Sequence, residues 1–318
     1  MKFHDRFHVG PGDAICYSGY RAGQSPAAQM FPSAAQVEED LRLLAGRWRF
    51  LRLYDCGRHA ETVLEVIARE RLDLQVMLGV WLDAEVSNPG CPWGGVHSEH
   101  RLAANRATNQ AQVEHAIHLA LAYRAQVFSV SAGNEATVDW TDHLVPEERV
   151  VGYVRQLKAA VPQPVTFCDN YVPWLGKLGP LAAEVDFISL HTYPVWEGKT
   201  VDLAMAYTID NYRSVADRYP ETPVVITEAG WTTRSGGGAI AAQQASEELQ
   251  ATYVEALLRW SRAEGVLTFV FEAFDEPWKG AADPGEPEKH WGLFTVDRLP
   301  ERLMAAERLA AGGWSQGR

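Results

Sequence analysis

The sequence predicts an α/β protein built as a single (β/α)₈ TIM barrel, with residues 1–318 forming one catalytic domain. Short β-branched runs alternate with longer amphipathic stretches, a pattern typical of βα units and a parallel sheet. Eight such runs can be placed, which favours a closed barrel. No Gly-rich phosphate turn follows the first run, and this disfavours an open doubly wound sheet. No Pro/Gly-rich linker divides the chain.

The predicted strands are the eight short apolar runs at residues 14–17, 50–54, 74–80, 127–131, 164–168, 185–190, 224–227 and 267–271. Between them, apolar residues spaced three and four apart predict helices that include 36–45, 107–123, 147–160 and 242–263. The helix at 147–160 starts with acidic residues, as the helix dipole favours. The helix at 242–263 is expected to be the longest.

Composition and charge exclude several classes of partner. Hydrophobic residues make up 47% of the chain and charged residues 22%, which is ordinary for a globular protein. The net charge of −12 argues against nucleic acid, because such partners require a basic surface, and suits a neutral polysaccharide. No apolar run reaches ~18 residues, so no membrane span is predicted.

The four cysteines, Cys16, Cys56, Cys91 and Cys168, form no CxxC and no zinc-site spacing, so free thiols are predicted. No motif implies a metal or an organic cofactor, and neither is predicted. The start of the chain, MKFHDRFHVG, has no apolar stretch of signal-peptide type. The compartment is therefore open: the chain as written reads as cytoplasmic, or as one whose leader has been removed.

Two carboxylates are the strongest candidates for chemistry. Glu135 in VFSVSAGNEA and Glu228 in VVITEAGW both follow apolar runs and stand beside small residues. An exposed loop position or an ion pair is the alternative for each. In a barrel of this type the active site lies at the C-terminal ends of the strands. Cleavage of a glycosidic bond with retention requires two carboxylates ~5–5.5 Å apart. The sequence predicts such a pair on strands four and seven, on opposite sides of the barrel mouth.

Around these carboxylates the sequence resembles a known family. GNEA and ITEAGW resemble the acid/base and nucleophile motifs of clan A glycosidases. ICYSGYRAGQSP, FLRLYDC, LGVWL, HTYP, FVFEAFDEPWK and EKHWGLF narrow the resemblance to glycoside hydrolase family 17, the β-1,3-glucanases and β-1,3-glucanosyltransferases. The motifs occur in family order over residues 15–294. Glu272, and Pro277–Trp278 after Glu276, depart from the plant members and resemble the bacterial and fungal branch.

The resemblance implies specific roles. Glu228 is expected to be the nucleophile, and Glu135 the acid that protonates the leaving oxygen and then acts as base. Asn134 is expected to bind the 2-hydroxyl of the sugar in subsite −1, and Tyr193 to hydrogen-bond Glu228. A capping Asn and a structural Tyr are the respective alternatives.

Further side chains are expected to bind substrate. Glu276, Lys279 and Glu288 match a polar cluster near the cleft, in which Lys279 stabilises ionised carboxylates; a solvated ion-pair network is the alternative. Glu272 adds a carboxylate that binds sugar hydroxyls or shapes the subsites. The remaining candidates are aromatic residues or lie beside the site: Tyr17, Tyr54 and Trp231 as walls of subsite −1, Trp81, Trp174, Trp196 and Trp278 as stacking platforms or core residues, and His191 as a hydrogen-bonding site residue.

The predicted function is hydrolysis of β-1,3-glucan or its oligosaccharides by double displacement. Transglycosylation on the same scaffold is an alternative, because only the acceptor differs. A non-catalytic glucan-binding barrel is a second alternative, which the presence of both Glu135 and Glu228 disfavours. A clan relative acting on β-1,4-glucan or mannan is a third, against which the motifs at 272–279 and 288–294 count.

Overall fold

A computed structural model describes residues 2–310, and at its centre eight parallel strands close into a barrel in sequence order. The ring closes because β1 pairs with both β2 and β8, with Ala14 opposite Phe50 on one side and Phe269 on the other. The predicted fold class is thereby confirmed. The strands are β1 Ala14–Cys16, β2 Phe50–Arg52, β3 Gln75–Gly79, β4 Val127–Asn134, β5 Val165–Asn170, β6 Ile188–His191, β7 Val224–Gly230 and β8 Thr268–Phe271.

Most of the helices form the outer layer of the barrel. They are α1 Phe3–Phe7, α2 Ala34–Ala45, α3 Arg58–Glu70, α4 Glu99–Ala122, α5 Glu147–Ala160, α6 Tyr171–Leu175, α7 Gly179–Ala182, α8 Val201–Arg218, α9 Glu247–Glu264 and α10 Arg302–Ala310, with 3₁₀ turns at Ala242–Gln244 and Pro287–Lys289. The strands are almost wholly buried, since the inner face fills the barrel and the outer face meets the helices. This is why they appear in the sequence as continuous apolar runs.

Two predicted helices begin elsewhere, and the cause is a serine cap in each. Ser246 accepts a hydrogen bond from the Leu249 amide, so α9 begins at Glu247 and residues 242–244 form a separate 3₁₀ turn. Ser98 caps α4 in the same way, so this helix begins at Glu99, eight residues before the predicted start at 107. The longest helix is therefore α4, with 24 residues, and not α9, with 18.

Strand boundaries also differ from the prediction at three places that matter for the site. The sixth strand begins at Ile188 rather than at 185, because the side chain of Asp186 accepts a hydrogen bond from the Val165 amide. β4 continues to Asn134 and β7 continues to Gly230. Glu228 consequently lies inside β7, whereas Glu135 is the first residue after β4. Over residues 2–310, no helix is long and apolar enough to cross a membrane.

Candidate active site

The two predicted catalytic carboxylates meet at the C-terminal mouth of the barrel. One oxygen of Glu135, one oxygen of Glu228 and one ring nitrogen of His191 all lie within 4.8 Å of one another. This spacing suits a retaining glycosidase, in which about 5 Å separates the carboxylates and leaves no room for a water between them. The two carboxylates belong to β4 and β7 as predicted, and only β5 and β6 separate these strands on one side of the ring. β6 therefore places His191 between the two carboxylates.

The backbone around Glu135 adopts a conformation that few side chains tolerate. Glu135 has a φ of +44°, and its amide donates to the carbonyl of Cys168 at 2.9 Å. Gly133, two residues earlier, has a φ of +154°, and a Cβ there would lie 2.7 Å from Cε2 of Phe167. Such left-handed residues cost about 1–3 kcal/mol each and are concentrated at functional sites. The strain here brings the carboxylate of Glu135 into the mouth, with 26% of the side chain exposed.

Glu228 is held from several sides by hydrogen-bond donors. Arg52 donates to Oε1 and the hydroxyl of Tyr193 donates to Oε2, so the predicted Tyr193–Glu228 contact is present. Only 6% of the Glu228 side chain is exposed. Burial alone would raise the pKa of Glu228, but the charges of His191 and Arg52 outweigh it and lower that pKa. Glu228 is therefore ionised at neutral pH, as a nucleophile must be.

His191 links the two carboxylates through one nitrogen. Its Nδ1 lies 2.9 Å from Oε1 of Glu135 and 3.4 Å from Oε2 of Glu228. Burial would lower the pKa of His191, but the charge of Glu228, with contributions from Cys168 and Glu135, raises it to about 10. The imidazole thus carries a positive charge at neutral pH and stabilises the ionised form of Glu228.

Arg52 is a site residue that sequence reasoning missed. It lies on β2 with its side chain fully buried, and its second nitrogen donates to Oδ1 of Asn134. One guanidinium thereby fixes both Glu228 and Asn134, the predicted ligand of the 2-hydroxyl. The available signal was a single charged residue within the apolar strand FLRLY, since unpaired charges are almost never buried. That signal predicts that Arg52 has a buried partner, but it does not identify the partner.

A second charged cluster lies beside the catalytic pair. Lys279 forms ion pairs with Glu272, at 2.9 Å, and with Glu276, both of which are fully buried. Ser18 and the indole of Trp278 also donate to Glu276. The cluster is therefore buried, and the alternative of a solvated network is wrong. Lys279, with 17% of its side chain exposed, is the member of this cluster that can contact a sugar, and the two buried carboxylates fix its position.

Glu288 lies within the electrostatic reach of both parts of the site. Burial and the charges of Glu135 and Glu228 raise the pKa of Glu288 to about 7, against the opposing effect of the Lys279 charge. The carboxyl of Glu288 therefore changes protonation near neutral pH, and it can either donate or accept a hydrogen bond.

The aromatic candidates divide into cleft and scaffold residues. Tyr54 lies with its ring 4.5 Å from the Arg52 guanidinium carbon, which places it in the site. Tyr17 is buried and its hydroxyl donates to Asp40 at 3.1 Å. Trp231 is fully buried, and its indole donates to the carbonyl of Gln244 at 2.8 Å. The structure therefore brings Tyr54, but neither Tyr17 nor Trp231, to the surface of the cleft.

The candidate stacking platforms divide in the same way. Trp174 is fully buried and donates to the carbonyl of Ser189, so it is a core residue. Trp81, Trp196 and Trp278 are partly exposed. The ring of Trp81 contacts that of His143 in a tilted arrangement, with 4.6 Å between ring centroids.

One trio in the described part of the chain, Glu135, His191 and Glu228, has the spacing of a metal site. The chemistry of its surroundings fits a metal poorly. Arg52 and Tyr193 already donate to both oxygens of Glu228, and the pKa of His191 keeps its ring protonated rather than free to ligate. The absence of a metal stays a prediction.

Comparisons with known proteins agree with this geometry. The BtgE/BtgC glycoside hydrolase domain model matches residues 14–292. An endo-laminarinase from Formosa Hel1_33_131 has 26% identity and a TM-score of 0.83, over 99% of this chain and 91% of its own. A glycoside hydrolase family 17 β-1,3-glucanosyltransferase from Rhizomucor miehei shares the fold, with 21% identity and a TM-score of 0.71, over 91% of this chain and 95% of its own.

A curated relative, the glucan 1,3-beta-glucosidase of Arthroderma benhamiae, is 36% identical over 131 residues, which are 37% of this chain and 41% of that protein. The chain thus aligns with about two fifths of the length of this relative.

Proposed function

This chain belongs to the BtgE/BtgC glycoside hydrolase domain family, and from that membership we propose that it acts on β-1,3-glucan with retention of configuration. The family predicted from the sequence motifs is confirmed. The observation that carries the proposal is the approach of Glu135 and Glu228 to within 4.8 Å at the barrel mouth. That distance favours direct attack by one carboxylate over attack by a water held between the two.

In the first step, a carboxylate oxygen of Glu228 attacks the anomeric carbon of the sugar in subsite −1. The bond from that carbon to the leaving oxygen breaks, and Glu135 gives its proton to the leaving oxygen. In the second step Glu135, now a carboxylate, takes a proton from water or a sugar hydroxyl. The resulting oxygen attacks the anomeric carbon and releases Glu228.

The surrounding residues prepare Glu228 for this reaction. Arg52, His191 and Tyr193 keep it ionised and fix its orientation, so little reorganisation is required when the bond forms. We assign to Asn134 the hydrogen bond with the 2-hydroxyl, an interaction that strengthens in the transition state. Arg52 supports this assignment because it occupies Oδ1 of Asn134 and thereby fixes which way the amide points.

The wall of the cleft supplies the remaining substrate contacts in this proposal. Tyr54, Lys279 and Glu288 supply these contacts, and the buried carboxylates of Glu272 and Glu276 hold Lys279 in position. Tyr17 and Trp231 lie behind that wall, where Tyr17 donates a hydrogen bond to Asp40 and Trp231 donates one to the carbonyl of Gln244. We also propose that residues 1–318 form one catalytic domain, which the closure of the barrel between β1 and β8 supports.

The substrate is proposed from two independent supports. The Formosa relative is named an endo-laminarinase and the A. benhamiae relative a glucan 1,3-beta-glucosidase. The net charge of −12 also suits a neutral polymer better than an anionic one. Transfer to a second sugar is the alternative outcome of the same intermediate, and the fold shared with the R. miehei glucanosyltransferase is compatible with it.

The test is product analysis after incubation with reducing-end-labelled laminarihexaose. Shorter products alone identify a hydrolase, and products longer than the substrate identify a transglycosidase. Glu228→Gln is the control, and we expect it to retain binding with turnover below about 1% of the unsubstituted enzyme. An intact fold with unchanged laminarihexaose would contradict the proposed function.

A further inference from the structure

Two exposed tryptophans stand on the catalytic face, outside the reacting site. Trp93 is 65% exposed and Trp140 is 40% exposed, and they are the two exposed tryptophans among residues 2–310. Trp93 lies in the loop at residues 80–98 after β3, and Trp140 lies in the loop at 135–146 after β4. Both loops follow the C-terminal ends of their strands, which is the end that carries Glu135 and Glu228.

Asn88 joins the two loops at the tryptophans themselves. Its side-chain nitrogen donates to the carbonyls of Asp139 and Thr141, at 2.9 and 2.8 Å, and these residues flank Trp140. Its backbone amide donates to the carbonyl of Gly95, which closes the turn that contains Trp93. The side chain of Asn88 therefore joins the loop that carries Trp140 to the loop that carries Trp93, and its backbone amide closes the Trp93 turn.

Further contacts connect this pair of loops to the catalytic centre. Nε2 of His143 lies 3.1 Å from the carbonyl oxygen of Asn134, the residue before Glu135. The ring of His143 contacts that of Trp81, and Nε2 of His97 lies 2.9 Å from the carbonyl oxygen of Asp142. The two loops that carry the exposed indoles are thus connected to the catalytic segment by exposed and partly buried hydrogen bonds.

We propose that Trp93 and Trp140 form a distal subsite that binds a linear β-glucan chain beyond the sugars that flank the scissile bond. The inference rests on the proposed function and adds a binding site to it. The face of a pyranose ring presents C–H groups that pack on an indole, and a neutral chain requires no charged partner there. Holding the indoles rigid before binding lowers the entropy lost when a sugar stacks on them.

The length of the glucan chain distinguishes a substrate that reaches the distal subsite from one that occupies the reacting site alone. Laminarihexaose and laminarin contact the distal subsite while they react. Laminaritriose is too short to occupy both the distal subsite and the reacting site. We expect Trp93→Ala and Trp140→Ala each to raise KM for laminarin by about tenfold, with kcat and turnover of laminaritriose unchanged. Asn88→Ala should weaken laminarin binding in the same direction, because it removes both side-chain hydrogen bonds to the loop that carries Trp140.

Leu299→Ala is the matched control, since it removes an exposed apolar side chain of similar exposure, 62%, from another part of the surface. Two results would contradict the distal subsite and leave the proposed function intact. In one, the tryptophan substitutions change the kinetics of laminarin and laminaritriose equally. In the other, neither substitution changes KM for laminarin. An unsubstituted enzyme that turns over neither laminarin nor laminarihexaose would overturn both. Melting temperatures within the range of the control variant show that each substituted protein is folded.

Discussion

Arg52 and Glu228 form a buried ion pair at the base of the cleft, with side chains 2% and 6% exposed. The same guanidinium donates to Asn134, so the proposed nucleophile and the proposed ligand of the 2-hydroxyl share one cation. Because a planar guanidinium offers donors in a fixed fork, it can hold both groups at a set separation. This pair explains why a charged residue ends β2.

Removing that cation should disturb the ionisation of the nucleophile. We expect Arg52→Met to lower kcat/KM by about a hundredfold or more and to move the acidic limb of its pH profile to higher pH. The direction follows because the charge of Arg52 lowers the pKa of Glu228. Arg52→Lys keeps the positive charge but loses the planar guanidinium, so the acidic limb of its pH profile should move less. An unmoved acidic limb in Arg52→Met would contradict the pairing.

The hydroxyl of Tyr193 should matter for the same carboxylate. Tyr193→Phe removes one hydrogen bond to Glu228 and keeps the ring, so we expect kcat to fall about tenfold to a hundredfold and KM to change little. Tyr253→Phe is the matched control, because its buried hydroxyl bonds Thr208 away from the mouth. Similar kinetics for the two variants would show that Tyr193 has no special role.

His191 should make stability depend on pH in a defined window. The pKa of His191 is raised from 6.5 to about 10 in the folded protein. The stabilisation from its charge is therefore fully present below pH 6.5 and is lost as the pH rises towards 10. Urea unfolding at several pH values should show that His191→Asn costs the most unfolding free energy near pH 6.5 and progressively less towards pH 10.

The control for His191 is a histidine on the surface. His115→Asn removes a contact with Glu61 in which both side chains are more than one third exposed, so its cost should be below about 1 kcal/mol and nearly constant over the same window. A cost of His191→Asn that grows with pH would contradict a charged imidazole.

Much of the architecture could be predicted because the burial of barrel strands determines a recognisable sequence pattern. Strands buried on both faces require continuous apolar runs, and all eight runs became strands of one ring. Glu135 and Glu228 were identifiable for a related reason. A carboxylate at the end of such a run lies at the barrel mouth wherever the helices between are placed.

Contacts between distant strands could not be read from the sequence. The role of Arg52 depends on Glu228 and Asn134, which are 176 and 82 positions away. The direction of a side chain at a strand end was equally hidden: Tyr54 points to the site, whereas Tyr17 points to Asp40. The sequence places an aromatic residue at the end of each of these strands, and tertiary packing determines the direction of its side chain.

The most direct test of the central claim is chemical rescue of Glu135→Ala by azide, with a β-glucoside that carries a good leaving group. Without Glu135 no base activates water, so the glycosyl-enzyme on Glu228 accumulates, and azide, which needs no base, can attack it. Because Glu228 forms an α-linked intermediate, inversion by azide should give a β-glycosyl azide and restore turnover. An α-glycosyl azide would contradict the account, because it would exchange the roles of Glu135 and Glu228.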